Sequence, residues 1–247
     1  MKKFFIAAFV LFATTAAFAQ QDSTTSKSKK KDWSKVKLTN RPNDHFMVQF
    51  GYDNWAGKPD TIRTVGFSRS FNFYFMLDFP FKTDPRFSVG GGLGIGSSNI
   101  FFDKEQVLVA DQSNATLAFR DVSGSDHFKK FKLVTTYVEI PVELRFAQNP
   151  ENTNKSWKFA IGAKVGDMLS AYTKGKTKLN NAGQTINPIV EKESSKKYFN
   201  GIRLVTTARI SYGVFGIFGQ YQVTSLIKNG VGPPIYPFSI GICFSGL

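Results

Sequence analysis

Ser123, Ser125, Asp126 and His127 bring hydroxyls, a carboxylate and an imidazole within a few residues of one another. Acyl transfer would need the hydroxyl bonded to the imidazole and the imidazole oriented by the acid. Adjacent residues seldom point at one another, so a solvated loop is the expectation and no catalytic residue is assigned. His45 lies beside Asp44 just ahead of the first alternating segment and reads as a boundary residue. No His, Cys and Asp cluster has metal-ligand spacing, and no cofactor is expected.

A second stretch, FSVGGGLGIGSSNIFF (87–102), looks at first like a phosphate loop. A dinucleotide fingerprint needs G-x-G-x-x-G between a strand and a helix, and a P-loop needs Gly-Lys-Ser/Thr. Here Gly92, Gly94 and Gly96 come two apart, Ser97 follows, and the stretch holds no Lys. It fits a strand with Phe87, Val89, Leu93, Ile95 and Phe101 on one face and Gly90, Gly92, Gly94 and Gly96 on the other. Counted from the phenylalanine end, Gly92 is level with Tyr74 and Pro141, and Gly96 with Tyr137. Glycine would leave room for those groups and let the sheet coil.

The elements that position these residues alternate with period two. Eight such segments fall at about 45–55, 65–79, 87–102, 132–146, 157–172, 199–212, 215–226 and 236–246. Each reaches the ~9–11 residues of a transmembrane strand. One face carries residues such as Phe71, Phe73, Phe75, Ile140, Val142, Leu144, Ile240 and Ile242. The opposite face carries Gln49, Asn72, Asp78, Glu139, Glu143, Arg145, Lys158, Lys164, Arg203, Arg209, Gln220 and Gln222. A soluble sandwich would turn its apolar face inward; a membrane barrel turns it to lipid.

Two features favour the barrel. Links after the second, fourth and sixth segments are short, and those after the third and fifth are long (103–131 and 173–198). The strand ends beside short turns or a terminus also carry an aromatic: Phe46, Phe79, Phe87, Phe146, Trp157, Tyr212, Phe215 and Phe244. Aromatic rings concentrate at the membrane–water boundary. The expected fold is all-β, an eight-stranded antiparallel up-and-down transmembrane β-barrel with both termini periplasmic and two long extracellular loops.

The flanking sequence agrees with export. Lys2 and Lys3, the apolar run Phe4–Leu11 and Ala17-Phe18-Ala19 make residues 1–19 a signal peptide. Residues 20–42 are Lys-rich and read as a disordered periplasmic linker, and 43–247 as the barrel. Cys243 is the only cysteine, so no intrachain disulfide can form. The net charge is +14, and for an exported chain anionic lipid is a better partner than nucleic acid.

YVEIPVELRF (137–146), FAIGAKVG (159–166) and the terminal PFSIGICFSGL resemble the small bacterial outer-membrane β-barrel family. That family includes OmpA/OmpX-type barrels and the PorT-like outer membrane beta-barrel domain. The resemblance covers about residues 43–247. It implies insertion in the cell outer membrane by the barrel assembly machinery through the C-terminal strand. The match at that end is partial, because the chain finishes Phe244-Ser245-Gly246-Leu247 rather than on an aromatic. Some outer-membrane barrels modify lipid A with His and Ser, but the residues around His127 give no such pairing.

The functional expectation is a non-enzymatic barrel with a structural or surface-interaction role. Its alternatives are a narrow porin-like channel and, behind that, a lipid A-modifying enzyme. The inner charges Glu139, Glu143, Arg145, Lys158, Lys164, Arg203 and Arg209 are expected to pair, Glu139 level with Lys164 and Glu143 with Arg209, because lone buried charges are costly. The outer loops are expected to be basic and mobile. Lys129, Lys130, Lys196 and Lys197 are the candidate contacts to lipopolysaccharide.

Overall fold

The computed structural model describes residues 44–65, 67–111 and 113–246. The expected signal peptide (1–19) and the expected linker (20–42) lie outside the described residues. Eleven strands follow in chain order: β1 (Asp44–Ala56), β2 (Arg69–Pro80), β3 (Phe87–Phe102), β4 (Glu105–Leu108), β5 (Ala118–Asp121), β6 (His127–Ala147), β7 (Trp157–Leu179), β8 (Thr185–Ser194), β9 (Ile202–Tyr212), β10 (Phe215–Gln222) and β11 (Tyr236–Ser245).

Eight of them close a ring. Its order is β1-β2-β3-β6-β7-β9-β10-β11, with β11 returning to β1, and every pairing is antiparallel. Closure removes the sheet edges, so every wall strand finds backbone partners on both sides, as hydrocarbon surroundings demand. The parity of the side chains follows. Phe71, Phe73, Phe75, Leu77 and Phe79 of β2 face out and are exposed, while Ser70, Asn72, Tyr74, Met76 and Asp78 face in and are buried. At ~3.3 Å per residue and a tilt of ~40°, the stretch from Arg69 to Phe79 rises about 25 Å, the height of a lipid-facing band.

Aromatic rings band the short-turn end. Phe87 packs on Phe146, Trp157 on Tyr212 and Phe215 on Phe244, at centroid distances of 5.0, 5.4 and 5.6 Å. The band is staggered rather than level. Phe79 pairs with Val89, and Phe146 with Phe159, so two neighbours are offset by two residues. This is the shear a closed barrel requires. It corrects the level count made from the sequence. Tyr74 is opposite Gly94 rather than Gly92, whereas on the β6 side the register that joins Gly91 to Val142 and Gly94 to Glu139 keeps Pro141 level with Gly92, and Gly96 is opposite Tyr137.

The long-link end departs from the expectation of mobile loops. β6 and β7 run past the lipid band and stay paired as far as His127 and Leu179, with a bulge at Thr136/Tyr137. β8 adds to β7 there, and β4 and β5 form a hairpin within the 103–126 link. These pieces enclose an apolar core. Trp55, Ile62, Ile100, Phe102, Val107, Val109, Leu117, Leu133, Tyr198, Phe199, Leu226, Ile227 and Ile235 are buried together across the mouth. The loops are therefore a folded cap, held by the same burial that holds a soluble core.

Candidate functional site

The lumen fills from the short-turn end upward with charge. Glu143 on β6 accepts from Arg209 on β9 at 2.8 Å and from Arg145 at 2.9 Å. Arg145 also reaches Asp78 at 3.3 Å, and its Nη1 lies 3.0 Å from His45 Nε2. Glu143 is not level with Arg209, since it pairs with Gly162 while Arg209 pairs with Ala160. The guanidinium therefore reaches Glu143 diagonally, across a two-residue offset. Lys158 is half-buried at this mouth and lines a cavity with His45, Asp78, Arg145 and Arg209.

A second tier sits above. Glu139, fully buried, takes Arg203 at 2.7 Å and Lys164 at 3.6 Å, and accepts the Tyr74 hydroxyl. Lys164 in turn donates to Tyr74 and to Gln220 at 2.8 and 2.6 Å. Glu139 is opposite Gly166 and Lys164 is opposite Pro141, so this contact too is diagonal, by the same stagger. The glycine stripe makes room for both. A Cβ on Gly94 would lie 2.3 Å from the Tyr74 ring, and one on Gly96 would lie 2.8 Å from both Arg203 and Glu139. The sequence reading of the stripe as a packing surface therefore gains a specific cause: it clears space for the upper ion cluster.

Charge balances across the two tiers. Among the described residues, the buried carboxylates of the lumen are Asp53, Asp78, Glu139 and Glu143, and the buried cations are Arg145, Lys164, Arg203 and Arg209. Asp53, bonded to Ser98 at 2.5 Å, carried no motif that would have singled it out. Its inward parity on β1 was the available signal. Above Glu139 the Arg203 guanidinium stacks on Tyr137 at 3.8 Å from the ring centre, and the apolar cap begins there. An eight-stranded barrel is wide enough only for side chains, and these fill it.

The remaining candidates are scattered over the cap. His127 is buried at the start of β6, and its Nδ1 lies 3.0 Å from the carbonyl oxygen of Ser125 rather than the hydroxyl; Asp126 is exposed. The expectation of a solvated histidine is corrected, because β7 pairing draws it in opposite Leu179. Lys129, Lys130, Lys196 and Lys197 are all exposed. They are not brought into one cluster with a common partner: Lys196 donates to the Met168 carbonyl at 3.2 Å and Lys197 to that of Asn114 at 3.1 Å. Lys130 instead faces Lys176 across β6 and β7. Among the described residues, no group of His, Cys, Asp and Glu could hold a metal ion.

A closed ring with a lipid-facing apolar wall is matched by comparison with known proteins. The family described as outer membrane protein beta-barrel domain matches residues 18–227. The chain belongs to this family. As a member of the outer membrane protein beta-barrel domain family, it resides in the cell outer membrane and crosses it with strands; no described helix is long and apolar enough to do so. Solved structures to which the chain is similar include Neisserial surface protein A, at 9% identity over 83% of this chain and 96% of that one, with a TM-score of 0.38. Ail, the attachment invasion locus protein of Yersinia pestis, in complex with the heparin analogue sucrose octasulfate, is 13% identical over 82% and 97%, with a TM-score of 0.33. No curated protein matches the chain.

Proposed function

We propose that this barrel is a non-enzymatic, non-conducting surface protein that holds a folded basic cap outside the cell, where its exposed lysines bind lipopolysaccharide. The single observation that carries this reading is the filled lumen. Two tiers of paired charge are followed by a buried apolar cap, which leaves no continuous polar path for an ion. The long-link end is taken as extracellular because short turns are periplasmic and long loops external in barrels of this kind. β11 closing on β1 supports C-terminal-strand recognition by the barrel assembly machinery. His127 Nδ1 contacts the Ser125 carbonyl oxygen rather than its hydroxyl, which gives lipid A chemistry no support.

Two measurements test this reading. Refolded protein in planar bilayers should give no unitary conductance steps; regular steps would establish the channel instead. Changing Lys129, Lys130, Lys196 and Lys197 to Gln should weaken lipopolysaccharide binding, and wild-type binding should fall steeply with salt, since each lysine near an anionic surface contributes ~1 kcal/mol within a Debye length. Unchanged binding in a folded quadruple variant would separate the cap from lipopolysaccharide.

A further inference from the structure

The outer wall holds a groove of about 660 Å³ across β11, β1, β2, β3 and β6. Its floor is apolar, with Phe50, Phe71, Ile240 and Ile242 among the lining residues. Its upper end is not. Arg69 and Lys132 flank the Phe101 ring at 5.4 and 5.6 Å, and Lys132 donates to Asn99 at 2.7 Å. No described carboxylate forms an ion pair with either cation. An apolar slot with two cations at one end is complementary to an acyl chain that carries a phosphate.

The wall beside the groove extends that charge. Lys132 pairs with Lys174, Lys130 with Lys176, and Lys174 with Lys192, so lysines stand directly opposite lysines on three strands. Like charges in cross-strand pairs repel. Glu191 and Glu193 do not relieve them: they pair with Gly175 and Thr173 and so point to the opposite face, where they line the inner side with Phe131. The Lys192 ammonium lies over the Tyr172 ring at 4.1 Å, which keeps it against the wall. Such a ladder is stable when an anion lies along it. From β2 to β8 the basic band spans four strand spacings, about 19 Å. One phosphate ester is too small to cover it; a disaccharide bearing two phosphates is not.

We propose that this wall is the seat of one lipid A molecule of the outer leaflet, an acyl chain in the groove and its two phosphates on Arg69–Lys132 and on the Lys174, Lys130, Lys176 and Lys192 ladder. The assignment rests on the outward orientation of the long-link end given above. The cap lysines Lys196 and Lys197 have no part in it.

Native mass spectrometry of the refolded full chain, released from detergent with bis-phosphorylated lipid A or with phosphatidylglycerol, tests it. The wild type should retain one lipid A and lose phosphatidylglycerol. Arg69→Gln with Lys132→Gln should lower lipid A retention about thirtyfold, and Lys196→Gln with Lys197→Gln should not. Heat-modifiable migration in gels verifies that each variant is folded; both cations are on the outer wall, so folding should persist. Equal retention by the Arg69/Lys132 variant overturns the site, as does equal retention of phosphatidylglycerol. Loss confined to the Lys196/Lys197 variant overturns the site while the surface reading stands. A wild type that binds no lipid A or lipopolysaccharide overturns both.

Discussion

The lower and upper halves of the lumen are closed by opposite means. Below, charge is buried and neutralised within a ladder of wall strands, so each ion pair is fixed by register. Above, apolar residues from four separate links meet over the mouth, so the closure depends on how loops dock. The difference teaches where rigidity resides. A buried ion pair contributes little against an apolar alternative, but removing one partner leaves a costly lone charge. An apolar cap has no such all-or-none character, and its loss should remain local.

The largest expected effect tests the charged half. Glu139→Gln keeps shape and leaves Arg203 and Lys164 without a counter-charge. Barrel unfolding, followed by urea titration of the heat-modifiable band, should be destabilised by about 3–5 kcal/mol. Adding Arg203→Gln should return part of the loss. Additive losses in the double variant would mean that the two residues act independently, and the charged tier would then be no tighter than the cap.

Next comes the apolar half. Ile227, buried in the cap and bridged to Phe199, should cost about 2–5 kcal/mol when changed to Ala. The comparison predicts where the loss is felt. Amides of 103–126 and 195–201 should exchange faster in this variant, while the urea midpoint of the barrel stays near wild type. A barrel midpoint that falls with Ile227→Ala would show that the two halves unfold as one unit.

That asymmetry also explains what could be read from the sequence. β3 spans residues 87–102 as the alternation indicated, because inside the membrane one face must be greasy and the other polar. β6 and β7 extend beyond the segments read from alternation, because above the lipid band their outward residues are lysines and the apolar stripe ends. β8 is almost wholly exposed and pairs with β7 alone among the described strands, so burial left no pattern on TINPIVEKES. Val107, Val109, Leu117, Tyr198, Phe199 and Ile235 come from short pieces far apart in the chain; only the fold shows that they meet. The inner charges were visible by parity, and so were the pairs Glu139 with Lys164 and Glu143 with Arg209; the further partners Arg203 and Arg145, and the diagonal geometry of the contacts, follow from shear, which no single strand encodes.

The smallest expected effect concerns how the cap docks as pH changes. Glu105 of β4 is buried, and its carboxylate accepts the backbone N–H of Arg63 at 2.6 Å. Burial holds its pKa above the ordinary carboxylate value, the Arg63 contacts offset part of the rise, and nearby Asp121 adds to it. Asp121 itself is held below its ordinary value, by Ser123 first and then by Arg63, whose guanidinium is 2.7 Å away. The signs differ. A carboxylate with a raised folded pKa favours the docked cap below its free value, and that contribution is lost as pH rises through the folded one. The lowered Asp121 contributes above its free value and loses that only in stronger acid. Between pH 7 and about 5, Asp121 and Asp111, both held below the ordinary value, are ionised whether the cap is docked or not, and the raised Glu105 sets the carboxylate slope. Cap amides, corrected for intrinsic exchange rates, should therefore be better protected near pH 5 than at pH 7. Glu105→Gln should flatten that dependence and leave barrel amides unaffected. Protection that instead weakens as pH falls across this window would mean that Glu105 docks as a charged partner of Arg63, and the upper half would then share the electrostatic closure of the lower.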